Sequence, residues 1–198
     1  AYLKRHPESV KTAILDSNAP MELVIGLFGK TSERAFELLL QDCQQHPSCQ
    51  QSFGELKQDY LRLMARLKKG PIKQNVFHPA SGEPVEMLLT YRKVTEAMRT
   101  LLYDLSSRQM LPYIIHTAAN EDYRALSALI GRSIDSERQP GALYSGLTMN
   151  ILCNEDIPRG KSQDFAMDAS NYFNGENGHA MFTEVCAHWP KWQAPEDF

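Results

Sequence analysis

The sequence has no long apolar run, no C-x-x-C pair, no excess of either charge, and none of the short glycine, serine or histidine motifs that mark common active sites. Each absence removes a class of function. Without an apolar stretch of about 20 residues, nothing reads as a bilayer-crossing helix. The first residues lack the charged, apolar and small-residue zones of a signal peptide, so the leader of an exported protein would lie outside these 198 residues. The 21 basic and 24 acidic residues are spread along the chain and leave a net charge of −3. No basic footprint marks nucleic acid or an anionic membrane as a partner. The cysteine spacing argues against zinc, and no metal or cofactor site is expected. A serine-nucleophile elbow needs glycine two residues either side of the serine. The nearest stretch, "GALYSG", carries Leu143 instead. There is no H-E-x-x-H, phosphate-cradling loop or dinucleotide fingerprint. His6, His46, His78, His116, His179 and His188 are scattered, and none is assigned a catalytic role.

What is present is enough for one sizeable core, or one core plus a fragment of another: 198 residues, 42% hydrophobic and 23% charged. "SVKTAILDS" (9–17) reads as a fully buried strand, yet the next strand-like run begins only near Ile72, so its sheet partners are missing. Phe36, Leu39, Leu40 and Cys43 then recur at helical spacing. "SFGE" (Ser52 to Glu55) reads as a capping box before a second helix carrying Leu56, Tyr60, Leu63, Met64 and Leu67. Lys68, Lys69 and Gly70 end that helix. From Ile72 to Thr90 the period becomes two, and "HPASGEP" predicts the turn of a small hairpin. Val94 to Leu105 predicts an amphipathic helix running to about Ser106. A short helix from Pro112 follows, and then an Asn120 cap with Glu121 and Asp122 in the first turn of another helix. Glycine and proline interrupt Gln139 to Gly146, "LTMNILC" fits helix or strand, and "GHAMFTEVCAHW" predicts a last helix ended by Pro190.

Two groups of residues carry chemistry. Cys43 and Cys49 bracket "CQQHPSC", where a helix should stop before Pro47 and bring the two backbones close. A disulfide there and four buried free thiols, with Cys153 and Cys186, are both consistent with the spacing. In "CNEDIP", Glu155 and Asp156 are either carboxylates held to bind a substrate ammonium group or a solvated acidic loop.

"AYLKRHPESVKTAILDSNAP" resembles the segment after the nucleophile elbow in proline-type and tripeptidyl aminopeptidases of the α/β-hydrolase family. The likeness continues through "DCQQHPSC", "HPASGEPVEMLL", "LLYD", "LPYIIHTAANED", "NILCNEDIP" and "VCAHWP", and so spans nearly the whole chain. It implies a mainly α fold: a helical cap domain with a small β-hairpin, plus a remnant helix end and strand of the hydrolase core. Residues 1–20 would be that remnant, 21–180 the cap, and 181–198 the last cap helix and a return linker. The catalytic serine would precede residue 1, with the aspartate and histidine beyond residue 198, so no catalytic residue lies within the chain. The resemblance further implies the disulfides Cys43–Cys49 and Cys153–Cys186 and an exported, periplasmic or secreted parent. It also makes Glu155, then Asp156, the ligands for a peptide's free N-terminus. The expected partners are that peptide and the missing catalytic domain. A stand-alone helical binding module and the cap of an esterase-like hydrolase are the alternatives.

Overall fold

The computed structural model describes residues 2–16, 23–78, 81–131 and 144–192. The fold is mainly helical, with one two-stranded antiparallel sheet. In chain order the elements are α1 (Tyr2–Arg5), α2 (Gly29–Gln45), α3 (Pro47–Phe53), α4 (Leu56–Lys69), β1 (Ile72–Phe77), β2 (Pro84–Leu89) and α5 (Tyr91–Leu101). They continue with α6 (Leu105–Arg108), α7 (Leu111–Ala119), α8 (Arg124–Gly131), α9 (Ser145–Ile151), α10 (Ser162–Ala169) and α11 (Gly175–Ala180).

The larger core follows from the helical spacing. Phe36, Leu39, Leu40 and Cys43 of α2 meet Leu56, Tyr60, Leu63, Met64 and Leu67 of α4, closed by Ile114 and Ile115 of α7 and Leu126 and Ile130 of α8. Phe36 stacks on Phe173 with ring centroids 4.4 Å apart, and Tyr60 packs on both rings. Burial pushes the Tyr60 phenol well above its ordinary range. Its hydroxyl donates to the Tyr172 carbonyl at 3.3 Å. The hairpin pairs Ile72 with Leu89 and Phe77 with Pro84. In this register Ile72, Val76, Met87 and Leu89 pack on the helical core. Gly70 ends α4 at φ +154°, a conformation open to glycine and strained for other residues.

Four expectations from the pattern are corrected. The buried strand at 9–17 does not form within the described residues 9–16. Pro7–Ser9 makes a 3-10 turn, the chain to Asp16 has no regular structure, and Ile14 is 97% exposed. The described sheet holds β1 and β2 alone, and this stretch pairs with neither. Ser52 lies inside α3 rather than capping α4, and Glu55 at the N-cap of α4 makes no side-chain capping bond. The helix from Val94 stops at Leu101 instead of about Ser106, because Asp104 caps the separate turn α6 by accepting from the Ser107 amide at 2.7 Å. Asn120 closes α7 instead of opening α8, its side chain donating to the His116 carbonyl at 2.8 Å. Glu121 takes a left-handed φ of 68°, and Asp122 accepts from the Arg124 amide at 3.1 Å. "LTMNILC" is helical, and the predicted last helix is α11, extended past Ala180 by a widened turn at Met181–Val185. The interruption from Gln139 falls outside the described residues as far as residue 143.

The Asp104 cap has a measurable acid limit. Bonds from the Ser106 side chain and then Ser107 hold its carboxyl down at about 2. A lowered folded value means the contribution is intact above the unfolded carboxylate range and is lost as pH falls through about 2. The Ser107 amide resonance should therefore titrate with a midpoint near pH 2 in NMR spectra. A midpoint at the ordinary aspartate value near 4 would mean the cap does not persist in solution.

Candidate functional site

A second, smaller core contains Cys153, Ile157, Phe165 and Cys186, with Val24, Leu27, Met181, Phe182, Val185 and Trp189 packed around it. Glu155 and Asp156 lie on its rim. The helix begun by α9 widens at Leu152–Asp156 into a turn with i to i+5 bonding, and Ile157–Arg159 tightens into a 3-10 turn. Pro158 lacks an amide hydrogen, so a regular α ladder cannot run through it.

Three devices hold this turn. Cys153 is bonded to Cys186, both sulfurs in the core of the cluster. Buried Asn154 donates from its carboxamide to the Pro190 carbonyl at 3.2 Å and to the Asn150 carbonyl at 3.1 Å, and its oxygen accepts from the Trp192 amide at 2.7 Å. Arg159 pairs with the Asp156 carboxylate and donates to the carbonyls of Glu155 at 3.0 Å and Leu23 at 3.1 Å. Together these bonds tie α9, the chain after α11 and the segment before α2 to one point.

The two acidic candidates therefore differ. Asp156 is 7% exposed and spent on Arg159. Glu155 is half-buried, and its carboxylate has no partner among the described residues. Leu147 and Ile151 precede it at four-residue steps along the helix and are both exposed, which places an apolar strip before a free carboxylate. Such an arrangement can accept an ammonium group whose neighbouring atoms are apolar. Asn154 and Arg159 were not singled out from the sequence. The D-x-x-R spacing of Asp156 and Arg159 is the one local signal for the pair, whereas the reach of Asn154 to Pro190 and Trp192 has none.

Two other polar groupings are paired internally, whereas buried Ser127 Oγ and His179 Nδ1 have no hydrogen-bond partner among the described residues. His116 Nδ1 lies 2.7 Å from the buried Asp59 carboxylate, which also pairs with Arg62. Among the described residues no hydroxyl or thiol is hydrogen-bonded to that imidazole ring. A cleft of about 310 Å³ between α2 and the start of α4 holds Glu37 and Lys57, which pair at 2.6 Å while the Tyr172 hydroxyl donates to Glu37. No group of three or more His, Cys, Asp or Glu able to hold a metal ion occurs among the described residues.

Cys43–Cys49 is also formed, so both disulfides expected from the resemblance are present and no described cysteine is free. Two disulfides are compatible with a secreted protein. No described helix is long and apolar enough to cross a membrane. No family model, curated protein or solved structure matches the chain.

Proposed function

We propose that this chain is the cap region of a serine hydrolase of the α/β-hydrolase fold, an exported aminopeptidase that releases N-terminal residues or tripeptides. The observation that carries the reading is Glu155: a half-buried, unpartnered carboxylate fixed by a disulfide and a buried asparagine at the end of an apolar strip. An α-ammonium group is the complement of that carboxylate, and the apolar strip suits the side chains that follow it. Asp156 supports Glu155 through Arg159 and does not meet the substrate itself. The cap would cover the active site, exclude water and admit only a chain end. It binds and selects; the triad of the parent enzyme cuts.

Kinetics of the parent enzyme on proline-β-naphthylamide and tripeptide chromogens test the reading. Glu155→Gln should raise KM for free-amine substrates about tenfold, the scale of one partly solvated charge-assisted bond, with kcat changed much less. An unchanged KM removes Glu155 from the site, and absence of any aminopeptidase turnover removes the peptidase assignment.

One observation favours a second reading, a stand-alone helical binding module. Both cores are built from residues between Val24 and Trp189, without residues 2–16. Absence of a G-x-S-x-G elbow in the coding region just upstream of residue 1 would decide for the module.

A further inference from the structure

We propose that the cavity between α2 and α5 is a binding site for a neutral phenolic ring, independent of Glu155 and of the aminopeptidase reading. The cavity is about 220 Å³, below the range of drug-sized ligands and suited to a single ring. Its apolar walls are Phe28, Ala35 and Leu102, and its polar walls are Thr31, Ser32, Arg99 and Tyr103.

Two polar groups on this lining have unused capacity. Ser32 is only 7% exposed, and its hydroxyl has no partner among the described residues, although it borders the cavity. The unpaired side-chain atoms sealed from solvent among the described residues are Ser127 Oγ and His179 Nδ1, so the Ser32 hydroxyl is reached from the cavity and is free to bond an occupant there. The adjacent Thr31 hydroxyl is already used, donating to the Phe28 carbonyl at 3.1 Å. Arg99 is held firmly. Its Nε lies 3.0 Å from Glu96 Oε2, its Nη2 also reaches Glu96, and its Nη1 donates to the Tyr103 hydroxyl at 2.7 Å. These bonds use three of the five guanidinium N–H groups and leave two.

The charge balance selects a neutral occupant. Glu96 already matches the charge of Arg99 through a fork of hydrogen bonds, so an added anion would face the Glu96 carboxylate. The Arg99 guanidinium sits 4.9 Å from the Phe28 ring centroid and 5.3 Å from that of Tyr103, so the wall is aromatic and cationic together. A phenol matches both parts. Its ring contacts Phe28, Ala35 and Leu102, while its oxygen accepts from Arg99 and its hydroxyl donates to Ser32.

The test is titration of the isotopically labelled chain with 4-methylphenol, toluene, benzoate and N-acetyltyrosinamide, followed by amide shifts at residues 28, 32, 35, 99, 102 and 103. We expect 4-methylphenol to bind with a Kd of about 1 mM. Toluene should bind about fivefold more weakly, the scale of one neutral hydrogen bond. Ser32→Ala should bring 4-methylphenol to the toluene level, and Ala35→Leu, which fills the cavity from α2, should abolish both while the circular dichroism spectrum stays unchanged. N-acetyltyrosinamide binding more tightly than 4-methylphenol supports a peptide tyrosine as the ring's source, and weaker binding supports a free phenol. No shifts from either phenol at about 10 mM would overturn the site. An unchanged phenol-to-toluene ratio in Ser32→Ala would do the same, as would benzoate binding as well as 4-methylphenol.

Discussion

Replacing Cys153 and Cys186 together by alanine should lower the unfolding free energy by about 4 kcal/mol, against about 2 kcal/mol for removing Cys43 and Cys49. The two bridges close loops of very different length, with sequence separations of 33 and 6 residues. In the chain-entropy account the cost of leaving the unfolded chain open grows with the logarithm of that length. For a chain of this size the corresponding falls in Tm are about 8–16 °C and 4–8 °C. Thermal and urea unfolding of both double variants would check this, and equal losses would show that loop entropy does not set the order. Packing acts in the same direction. Cys153 and Cys186 are two of the four fully buried members of the smaller core, whereas Cys43 belongs to a much larger cluster that can relax around it. The longer bridge also bears on the proposed site. Cys153 lies two residues from Glu155, so its loss should loosen the carboxylate as well as the fold. On the proposed cap reading, the parent enzyme lacking this disulfide should show a raised KM for free-amine peptides even at temperatures where it remains folded.

Elements whose signal is periodic were legible in the sequence. The apolar faces of α2 and α4 recur every three or four residues, and those of β1 and β2 every second residue, because each buries one side against a neighbour. Helix ends were read less well, since several residues compete for each cap. Ser52 and Glu55 have capping-box spacing, yet Pro47 starts α3 early enough to absorb Ser52. Asp104 caps α6, and Asp122 accepts from the first amide of α8, where the pattern points to Asn120. The apolar run at 9–17 predicts a buried strand and residues 9–16 form none, because a strand exists only where another backbone pairs with it. Of the candidate site, Glu155 and the four cysteines were legible as residue types. The difference between Glu155 and Asp156 was not, because Arg159 decides it. Contacts distant in sequence left no mark at all. Asp168 accepts from the Gly29 amide at 2.7 Å and the Lys30 amide at 3.0 Å, capping α2 from 139 residues away.

Gly178→Ala should destabilise the protein by about 3 kcal/mol, a fall of about 6–12 °C in Tm, although alanine is the better helix former. Two effects oppose each other. Helix propensity favours alanine within α11 by about 1 kcal/mol. Against that, a Cβ at Gly178 would lie 1.9 Å from the Gly26 carbonyl oxygen, a backbone atom that no side-chain rotation can move aside. Gly26 itself sits at φ +123°, so the segment leading into α2 cannot shift without disturbing a conformation that favours glycine. The same close approach recurs nearby. A Cβ on Gly29 would come within 2.5 Å, and one on Gly175 within 2.4 Å, of the Asp168 carbonyl oxygen. Glycines therefore let α10, α11 and the start of α2 meet backbone to backbone, which is what allows Asp168 to reach the first amides of α2. Gly146→Ala is the control, since no atom lies within 4 Å of its added Cβ. In α9 the substitution should cost nothing and gain up to about 1 kcal/mol. If both alanine variants unfold at or above the parent temperature, propensity dominates and the backbone contact at Gly26 does not limit the packing. If only Gly178→Ala falls, the contact has decided the sign, and the junction between the two cores depends on the absence of a single methyl group.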